Sequence, residues 1–189
     1  ALPTGQTPPG WQAACTGDGA SKWTVEVEAG APSGKQVLKQ SAVGKYPLCL
    51  QPQPKLKDGF VEVKFKTVSG KEDQAAGVIW RAQDKDNYYI CRANALEDNV
   101  VLYKLEAGKR QALDIVGRKG GYGVKEKVAP GQWQTLRVEF AGSRFKTLLS
   151  GKLLFEVEDT TFSEAGLAGL WTKADSVTLF DDFSSGPAQ

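Results

Sequence analysis

Short runs in which apolar and polar residues alternate are the dominant pattern of this sequence. The alternation is clearest over residues 23–28, 61–67 and 136–140, where every second side chain is Val, Leu, Phe or Trp. Successive side chains of a strand point to opposite faces of a sheet, so each run predicts a strand with one buried and one solvated face. No window of useful length has the period of an amphipathic helix. The chain is therefore predicted to be all-β.

Turn-forming residues separate these runs at intervals that suit a stack of short strands. Several dipeptides mark such turns about every 8 to 20 residues: Ser69-Gly70, Ala107-Gly108, Pro130-Gly131, Ala141-Gly142 and Ser150-Gly151. This spacing is typical of sandwiches and barrels. Ser150-Gly151 stands between the runs 144–149 and 152–157, and glycine supplies the positive φ that a tight hairpin turn needs. We therefore predict a hairpin over residues 144–157.

Two further segments are apolar at nearly every position. Residues 77–82 and 100–105 are predicted to occupy the centre of a sheet or to support one wall of a cleft. The sequence contains no internal repeat and no linker. We therefore predict a single domain over residues 1–189, with a loose Pro-rich N-terminus over about residues 1–10.

Composition excludes several classes of function. The 24 basic residues nearly balance the 22 acidic ones and form no run, which argues against nucleic-acid binding. No stretch approaches the roughly 20 apolar residues of a membrane-spanning helix. The sequence has no histidine, so Ser-His-acid triads, Cys-His dyads and histidine zinc sites are excluded.

The three cysteines allow one disulfide at most. Cys91 lies within an apolar strand pattern and is expected to be a buried thiol. Cys15 and Cys49 lie in segments that resemble loops, and in an oxidising compartment they could form a bridge that stabilises the fold by about 3–4 kcal/mol in the chain-entropy model. An odd count leaves one thiol unpaired in either case.

Three stretches together resemble a known family. Residues 77–92 are similar to the paired strands "G-hydrophobic-hydrophobic-aromatic-R…D-x-x-N-Y-Y…R". The hairpin at Ser150-Gly151-Lys152 stands where that pattern has "V-x-V-x-N-G-x", with Ser150 in place of Asn. Residues 166–172 and Phe180-Asp181-Asp182-Phe183 resemble the closing "G-x-x-G-L…F-D-D-F". The pattern is that of concanavalin A-like lectin/glucanase (laminin G-like) jelly rolls, in particular bacterial 3-keto-disaccharide hydrolase and family 16 glycosidase-related domains.

The resemblance implies a two-sheet antiparallel β-sandwich of the jelly-roll type with an oligo- or polysaccharide as partner. Our first hypothesis is a carbohydrate-binding domain that uses its concave sheet. The alternatives are a glycoside hydrolase or lyase acting on a disaccharide or modified sugar, and a laminin G-like protein-interaction module. No catalytic motif supports the enzyme, because the nearest match to the glucanase carboxylate pattern is Glu156-Val157-Glu158-Asp159, which lacks an Asp two residues after the first Glu and a Glu beyond it.

Candidate ligand-binding residues combine flat rings with planar hydrogen-bond donors, the groups that sugars require. They come from the paired strands, from one alternating strand and from the C-terminal motif: Arg81, Tyr89, Arg92, Asn94, Arg137, Trp171, Lys173 and Asp175. Tyr88 competes with Tyr89 for the binding face, because the register of the strands is open. The loop 118–123 is either a plain surface loop or the border of a glycan groove with Tyr122 as a stacking ring.

Two expectations depend mainly on the resemblance. Related jelly rolls often hold a structural Ca²⁺, and Asp181 would be its ligand here; the alternative is that no cofactor is bound. The opening at Ala1 with a Pro-rich segment would suit a chain whose secretory signal has been cleaved, although a cut from a longer chain would look the same. With the resemblance, this favours a periplasmic or secreted location.

Overall fold

The computed structural model describes all 189 residues and contains strands but no helix. The strands in chain order are β1 (Gln12–Gly19), β2 (Trp23–Val27), β3 (Gln36–Gln40), β4 (Gly44–Leu50), β5 (Gly59–Ser69), β6 (Ala75–Asp84), β7 (Asn87–Asn94), β8 (Asn99–Glu106), β9 (Lys109–Ala112), β10 (Val124–Lys125), β11 (Gln134–Ala141), β12 (Arg144–Leu149), β13 (Lys152–Glu158), β14 (Leu167–Trp171) and β15 (Val177–Gly186). No helix is therefore long and apolar enough to cross a membrane.

The strands form two antiparallel sheets that pack face to face. Sheet I has the order β1-β4-β14-β6-β7-β8-β10, with β9 also paired to β8. Sheet II has the order β13-β12-β11-β5-β15-β3-β2. Within each sheet, strands that are adjacent in sequence lie beside strands from distant parts of the chain, as in a jelly roll. The predicted all-β sandwich is confirmed.

The core between the sheets comes from the inward positions that the alternation predicts. Val61, Val63 and Phe65 of β5 and Leu136 and Val138 of β11 are fully buried in one cluster. The hairpin over residues 144–157 is also confirmed, since Ser150 and Gly151 have φ values of 48° and 81° at its turn.

Sheet I buries its outward face as well. A second apolar cluster covers that face, including Leu48, Ile79, Ile90, Val101 and Trp171, each at most 1% exposed. A strand buried on both faces needs apolar residues at consecutive positions. This explains the continuous apolar runs 77–82 and 100–105, which lie in the centre of sheet I as predicted.

The outward face of sheet I is strongly concave. Tyr46 of β4 and Tyr103 of β8 are four strand spacings apart, about 19 Å in a flat sheet. Nevertheless the guanidinium of Arg110 lies 5.2 Å from the Tyr46 ring centre and 4.3 Å from that of Tyr103. The hydroxyls of Thr16 on β1 and Tyr88 on β7 are likewise only 2.8 Å apart. The sheet therefore curves until its two halves meet above the second cluster.

The N-terminal segment, predicted to be loose, lies along the edge of sheet II. Backbone bonds join Gly5 and Gln6 to Val25 of the edge strand β2, at 2.8 and 2.9 Å. Trp11 packs edge-on against Phe183 with ring centres 5.1 Å apart. A Pro-rich extended segment can lie beside a sheet edge wherever its remaining N–H groups face the neighbour.

All three cysteines are free, so the disulfide between Cys15 and Cys49 is absent. Cys15 pairs with Pro47, and Cys49 pairs with Ala13 on the same two strands. This diagonal arrangement separates the two Cα atoms by about 7–8 Å, longer than the usual span of a disulfide. Burial raises the pKa of both Cys49 and Cys91 to about 12, so these two thiols are poorly reactive.

We expect reductant to leave the melting temperature unchanged, because no covalent link would be lost. The measurement is thermal unfolding with and without a phosphine reductant, combined with the intact mass under non-reducing conditions. A mass lower by two hydrogens, together with a lower melting temperature in reductant, would show that Cys15 and Cys49 are bonded after all.

Candidate functional site

The concave face of sheet I is the surface on which rings and guanidinium groups converge. Its floor is closed by side chains that satisfy one another. The indole N–H of Trp171 donates to the Tyr88 hydroxyl at 3.2 Å, and that hydroxyl also bonds Thr16 at 2.8 Å. The Trp171 ring stacks on Tyr46 with centres 5.3 Å apart. Trp171 is fully buried, so it supports the face from below and offers no surface for stacking.

Arg110 forms the upper layer of this face. It is half-buried, and its guanidinium lies over the rings of both Tyr46 and Tyr103. A cation over an aromatic face is attracted by about 0.5–2 kcal/mol. Burial raises the pKa of Tyr103, although Arg92 and Arg110 act in the opposite direction, so the tyrosine is neutral at physiological pH. The ring pair therefore holds the arginine without neutralising it.

Arg92 lies beside this pair and is 2% exposed. Its guanidinium donates to Glu97 at 2.7 Å and to the hydroxyls of Tyr103 and Tyr122 at 3.1 and 3.3 Å, and it also contacts Asn99. The Tyr122 ring meets Tyr103 edge-on and is 45% exposed. We call Tyr46, Arg92, Tyr103, Arg110 and Tyr122 the concave rim.

Of the eight predicted ligand-binding residues, Arg92, Asn94, Trp171 and Lys173 lie together on or beside this face. Asn94 is fully buried and donates to Asp73 at 2.8 Å. Lys173 forms an ion pair with the same carboxylate at 2.7 Å. Asn94 and Lys173 therefore hold one end of the sheet together through a buried acid, and Arg92 is the member of the four that belongs to the rim.

Asp175 organises the loop between β5 and β6. Its carboxylate accepts the backbone N–H groups of Lys71, Glu72 and Asp73 at 2.7, 3.1 and 3.1 Å. The backbone bond from Lys71 lowers the pKa of Asp175 most, burial opposes this, and the bonds from Asp73 and Glu72 lower it further, so the pKa lies below its ordinary value. A carboxylate of this kind is ionised at neutral pH and is not poised as a general acid.

Arg81 joins three loops and does not reach the concave rim. The residue is 2% exposed and adopts a left-handed φ of 49°. Its guanidinium donates to the carbonyls of Lys57, Phe162 and Gly142 at 2.7, 3.0 and 2.7 Å. Burial lowers its pKa, and Asp58 at 3.4 Å acts in the opposite direction. The planar fork of arginine suits this role, since it presents several donors in fixed directions.

Tyr89 faces the interior between the sheets, which corrects its assignment to the binding face. Its ring lies 4.6 Å from that of Phe145 and 5.5 Å from that of Trp80, centre to centre. Burial raises its pKa, and its hydroxyl donates to Asp159 at 2.6 Å. Tyr88 takes the concave face instead, because the register of β6 and β7 pairs Trp80 with Tyr89 and so turns Tyr88 outward.

Arg137 lies on the opposite sheet. It alternates outward on β11, pairs with Glu62 at 3.3 Å, and covers the Phe60 ring at 4.2 Å. The carboxylate pair Glu156 and Glu158 also faces outward on sheet II, where Arg144 binds the two acids at 2.8 and 3.1 Å. These groups form ordinary ion pairs on a solvated face and are remote from the rim.

Asp181, the predicted calcium ligand, accepts the N–H and the hydroxyl of Ser33 at 2.8 and 2.9 Å. The adjacent Asp182 binds Lys64 at 2.6 Å, which lowers the pKa of that carboxyl. No three acidic or thiol side chains in the chain come together as a metal-ion set. Ser33 thus occupies both oxygens of Asp181 in this structure, and a calcium ion at this position stays a prediction.

Sequence reasoning missed Tyr46, Tyr103 and Arg110. One signal was available for Arg110. The turn at Ala107-Gly108 joins β8 to β9 in a tight hairpin that pairs Tyr103 with Ala112. Arg110 is two positions from Ala112, so its side chain lies on the same face of the sheet as Tyr103. Tyr46 could not be found in this way, because its approach to Arg110 depends on the curvature of the whole sheet. The alternative in which Tyr122 borders a groove agrees with its exposed position on the rim.

Comparison with known proteins gives the family. The model of the 3-keto-alpha-glucoside-1,2-lyase-like domain matches residues 2–183. The chain belongs to this family. None of the curated proteins matches the sequence. The resemblance expected from the three sequence stretches is thereby confirmed.

Solved structures share the fold of this 3-keto-alpha-glucoside-1,2-lyase-like domain. Carbohydrate binding module CBM66 from Bacillus subtilis aligns at a TM-score of 0.75 and 20% identity, over 98% of this chain and 99% of that one. The cellulose-induced protein Cip1 aligns at 0.61 and 14%, over 93% and 90%. A Bacillus subtilis protein of unknown function with a galectin-like fold aligns at 0.59 and 10%, over 93% and 88%. At these identities the similarity concerns the fold.

Replacing Arg81 should destabilise the domain strongly. We expect Arg81→Ala to lower the free energy of unfolding by at least about 3 kcal/mol, because several carbonyls of three loops lose a buried charged donor. Chemical denaturation measures this change. Arg144→Ala is the matched control: that side chain is 43% exposed, and its loss should cost about 1 kcal/mol or less. Equal losses in both variants would contradict the role assigned to Arg81.

Replacing Asp175 should give a destabilisation that depends on pH. Its folded pKa is below the ordinary value of 3.8, so the ionised carboxylate stabilises the fold above pH 3.8, and this contribution is lost as the pH falls through the lowered value. We expect Asp175→Asn to lower the melting temperature by about 2–4 °C at neutral pH. The difference from wild type should shrink below pH 3.8. Asp18→Asn, at an exposed position, is the control, and a pH-independent difference for Asp175→Asn would refute the assignment.

Proposed function

We propose that this domain binds glycans at the concave rim. The observation that carries the proposal is the position of Arg110, whose guanidinium lies across the rings of Tyr46 and Tyr103 at the mouth of a curved sheet. Sugars bind where flat rings meet planar hydrogen-bond donors. The rim adds the exposed ring of Tyr122 to the guanidinium of Arg110, and both are within reach of a ligand from solvent.

The buried floor limits the way in which a sugar would be held. Trp171 and Tyr88 are fully buried, so the ligand would rest on the rim and would not enter deeply between the strands. A short contact at the end of a glycan chain suits this shape better than a long cleft. The Bacillus subtilis module CBM66, a carbohydrate binding module with the same fold, gives independent support for a saccharide partner.

Binding is preferred over catalysis because of the carboxylates. Four carboxylates have a pKa below the ordinary value of an aspartate: Asp98, Asp159, Asp175 and Asp182. Glycosidases need one acid with a raised pKa facing a second carboxylate across the sugar. Glu97 is the only carboxylate in contact with the rim residues, and it forms an ion pair with Arg92.

We extend the proposal to a periplasmic or secreted location, where polysaccharides are available.

A glycan array followed by calorimetry on the best ligand tests this function. We expect Arg110→Ala to weaken binding about 10–100-fold, because a charge-assisted hydrogen bond contributes about 1.5–3 kcal/mol. Tyr122→Ala should weaken it about 3–10-fold through the loss of ring contact. Arg144→Ala, on sheet II, is the control and should bind as wild type does. An array without any glycan ligand, or equal losses in Arg110→Ala and Arg144→Ala, would refute the proposal.

A further inference from the structure

Two guanidinium groups of the concave rim carry N–H groups that have no acceptor within the protein. The Nε of Arg92 is buried and unpartnered, although its other nitrogens are bonded. The Nη1 of Arg110 is also buried and unpartnered. A buried polar group without a partner costs about 1–3 kcal/mol, and more when it is charged. Such a group calls for a partner from outside the protein, which can be a water, an ion or a ligand.

The charge of the rim is also incompletely balanced. Arg92 has Glu97 as its counter-ion, but that carboxylate is 45% exposed and binds only one edge of the guanidinium. Arg110 has no carboxylate within ion-pair distance, and its contacts are the two tyrosine rings. The nearby ammonium of Lys173 is neutralised by Asp73 and does not change this balance. Arg110 is therefore a positive charge of the rim that no carboxylate balances, and the Lys45 ammonium, 5.6 Å from the centre of the Tyr46 ring, adds to it.

The two arginines both approach the Tyr103 ring. Their guanidinium carbons are 5.8 and 4.3 Å from its centre, so they lie at most about 10 Å apart. A guanidinium binds a carboxylate or a sulfate better than a hydroxyl, because its planar donors match the two oxygens and the charges attract. A tyrosine ring attracts a cation but cannot accept the in-plane N–H groups. An acidic group is thus the missing complement.

We infer that the glycan recognised at the concave rim carries an acidic group, a carboxylate or a sulfate, bound by Arg110 and Arg92. This inference rests on the proposed function and names the class of sugar. Tyr122 covers Arg92 from the solvent side, and it comes from the loop 117–123. In that loop Gly117, Gly120 and Gly121 have φ values of 85°, 75° and 93°. A glycine-rich loop of this kind can move aside at low cost and admit the acidic group to the buried N–H atoms.

Titration followed by NMR separates this inference from the proposed function. The probes are glucuronate, glucose 6-sulfate and glucose, and the signals are the side-chain Nε–H resonances of Arg92 and Arg110 in ¹⁵N-labelled protein. At millimolar concentration and constant ionic strength, we expect at least one acidic probe to shift both resonances in a saturable manner. Glucose should leave them unchanged. Comparison of the two acids tells a carboxylate from a sulfate ligand.

Two controls make the result specific. The Nε–H of Arg144, on sheet II, should not respond to any probe. In Arg110→Gln, which keeps a polar side chain but removes the charge, the response of Arg92 should weaken at least about tenfold in affinity, equivalent to about 1.4 kcal/mol.

Three results would overturn the acidic ligand: no response to either acid, an equal response to glucose, or an equal response of Arg144. If the array nevertheless finds a neutral glycan whose binding depends on Arg110, the proposed function stands and only the acidic class fails. If the array finds no glycan but both acids shift the two resonances, the site binds acidic groups and the glycan function fails.

Discussion

The curvature of sheet I is the constraint on which the rest of this structure depends. It brings the two halves of the sheet together, so that the outward face is covered by its own side chains. A flat sheet with the same sequence would expose Leu48, Ile90 and Trp171 to water, and each would then lose about 1.5–3 kcal/mol of burial. The apolar runs of β6, β7 and β8 are thus stable only in the curved form.

This second core also determines what the concave side can do. A lectin-like groove requires a floor that a ligand can reach, and here the floor is occupied by Trp171 and Tyr88, which bond to each other. A ligand could therefore contact only the upper layer, which contains Arg110, Tyr103 and Tyr122. The floor satisfies its own hydrogen bonds, but the upper layer does not. There, aromatic ring faces pack against the guanidinium of Arg110, while its Nη1 has no acceptor.

Much of the fold could be predicted from the sequence, because alternation and turn dipeptides are local signals. The strands over residues 61–67 and 136–140 and the hairpin at Ser150-Gly151 follow from two or three neighbouring residues each. The candidate site was harder, since faces depend on register. A shift of one residue exchanges Tyr88 with Tyr89, and no local pattern distinguishes the two.

Other features required information that a single strand does not contain. Arg81 was assigned to a binding surface because arginine suits sugars, yet its left-handed backbone and three loop carbonyls turn it into a structural clamp. The contact of Tyr46 with Arg110 spans strands far apart in the sheet, so it emerges only from the curvature. Of the residues chosen from the sequence, four lie on or beside the concave face of sheet I, and Arg92 is the one among them that belongs to the rim.

The N-terminal segment has a consequence for the behaviour of the domain in concentrated solution. It covers β2, the edge of sheet II, through the bonds of Gly5 and Gln6 to Val25, and it carries Pro3, Pro8 and Pro9. Proline has no N–H to offer a further strand, so the covered edge is a poor template for another molecule. Without this segment, the free backbone groups of β2 and the exposed side chain of Val27 would form an adhesive edge. Residues 1–10 thus disfavour edge-to-edge association of sheet II between molecules.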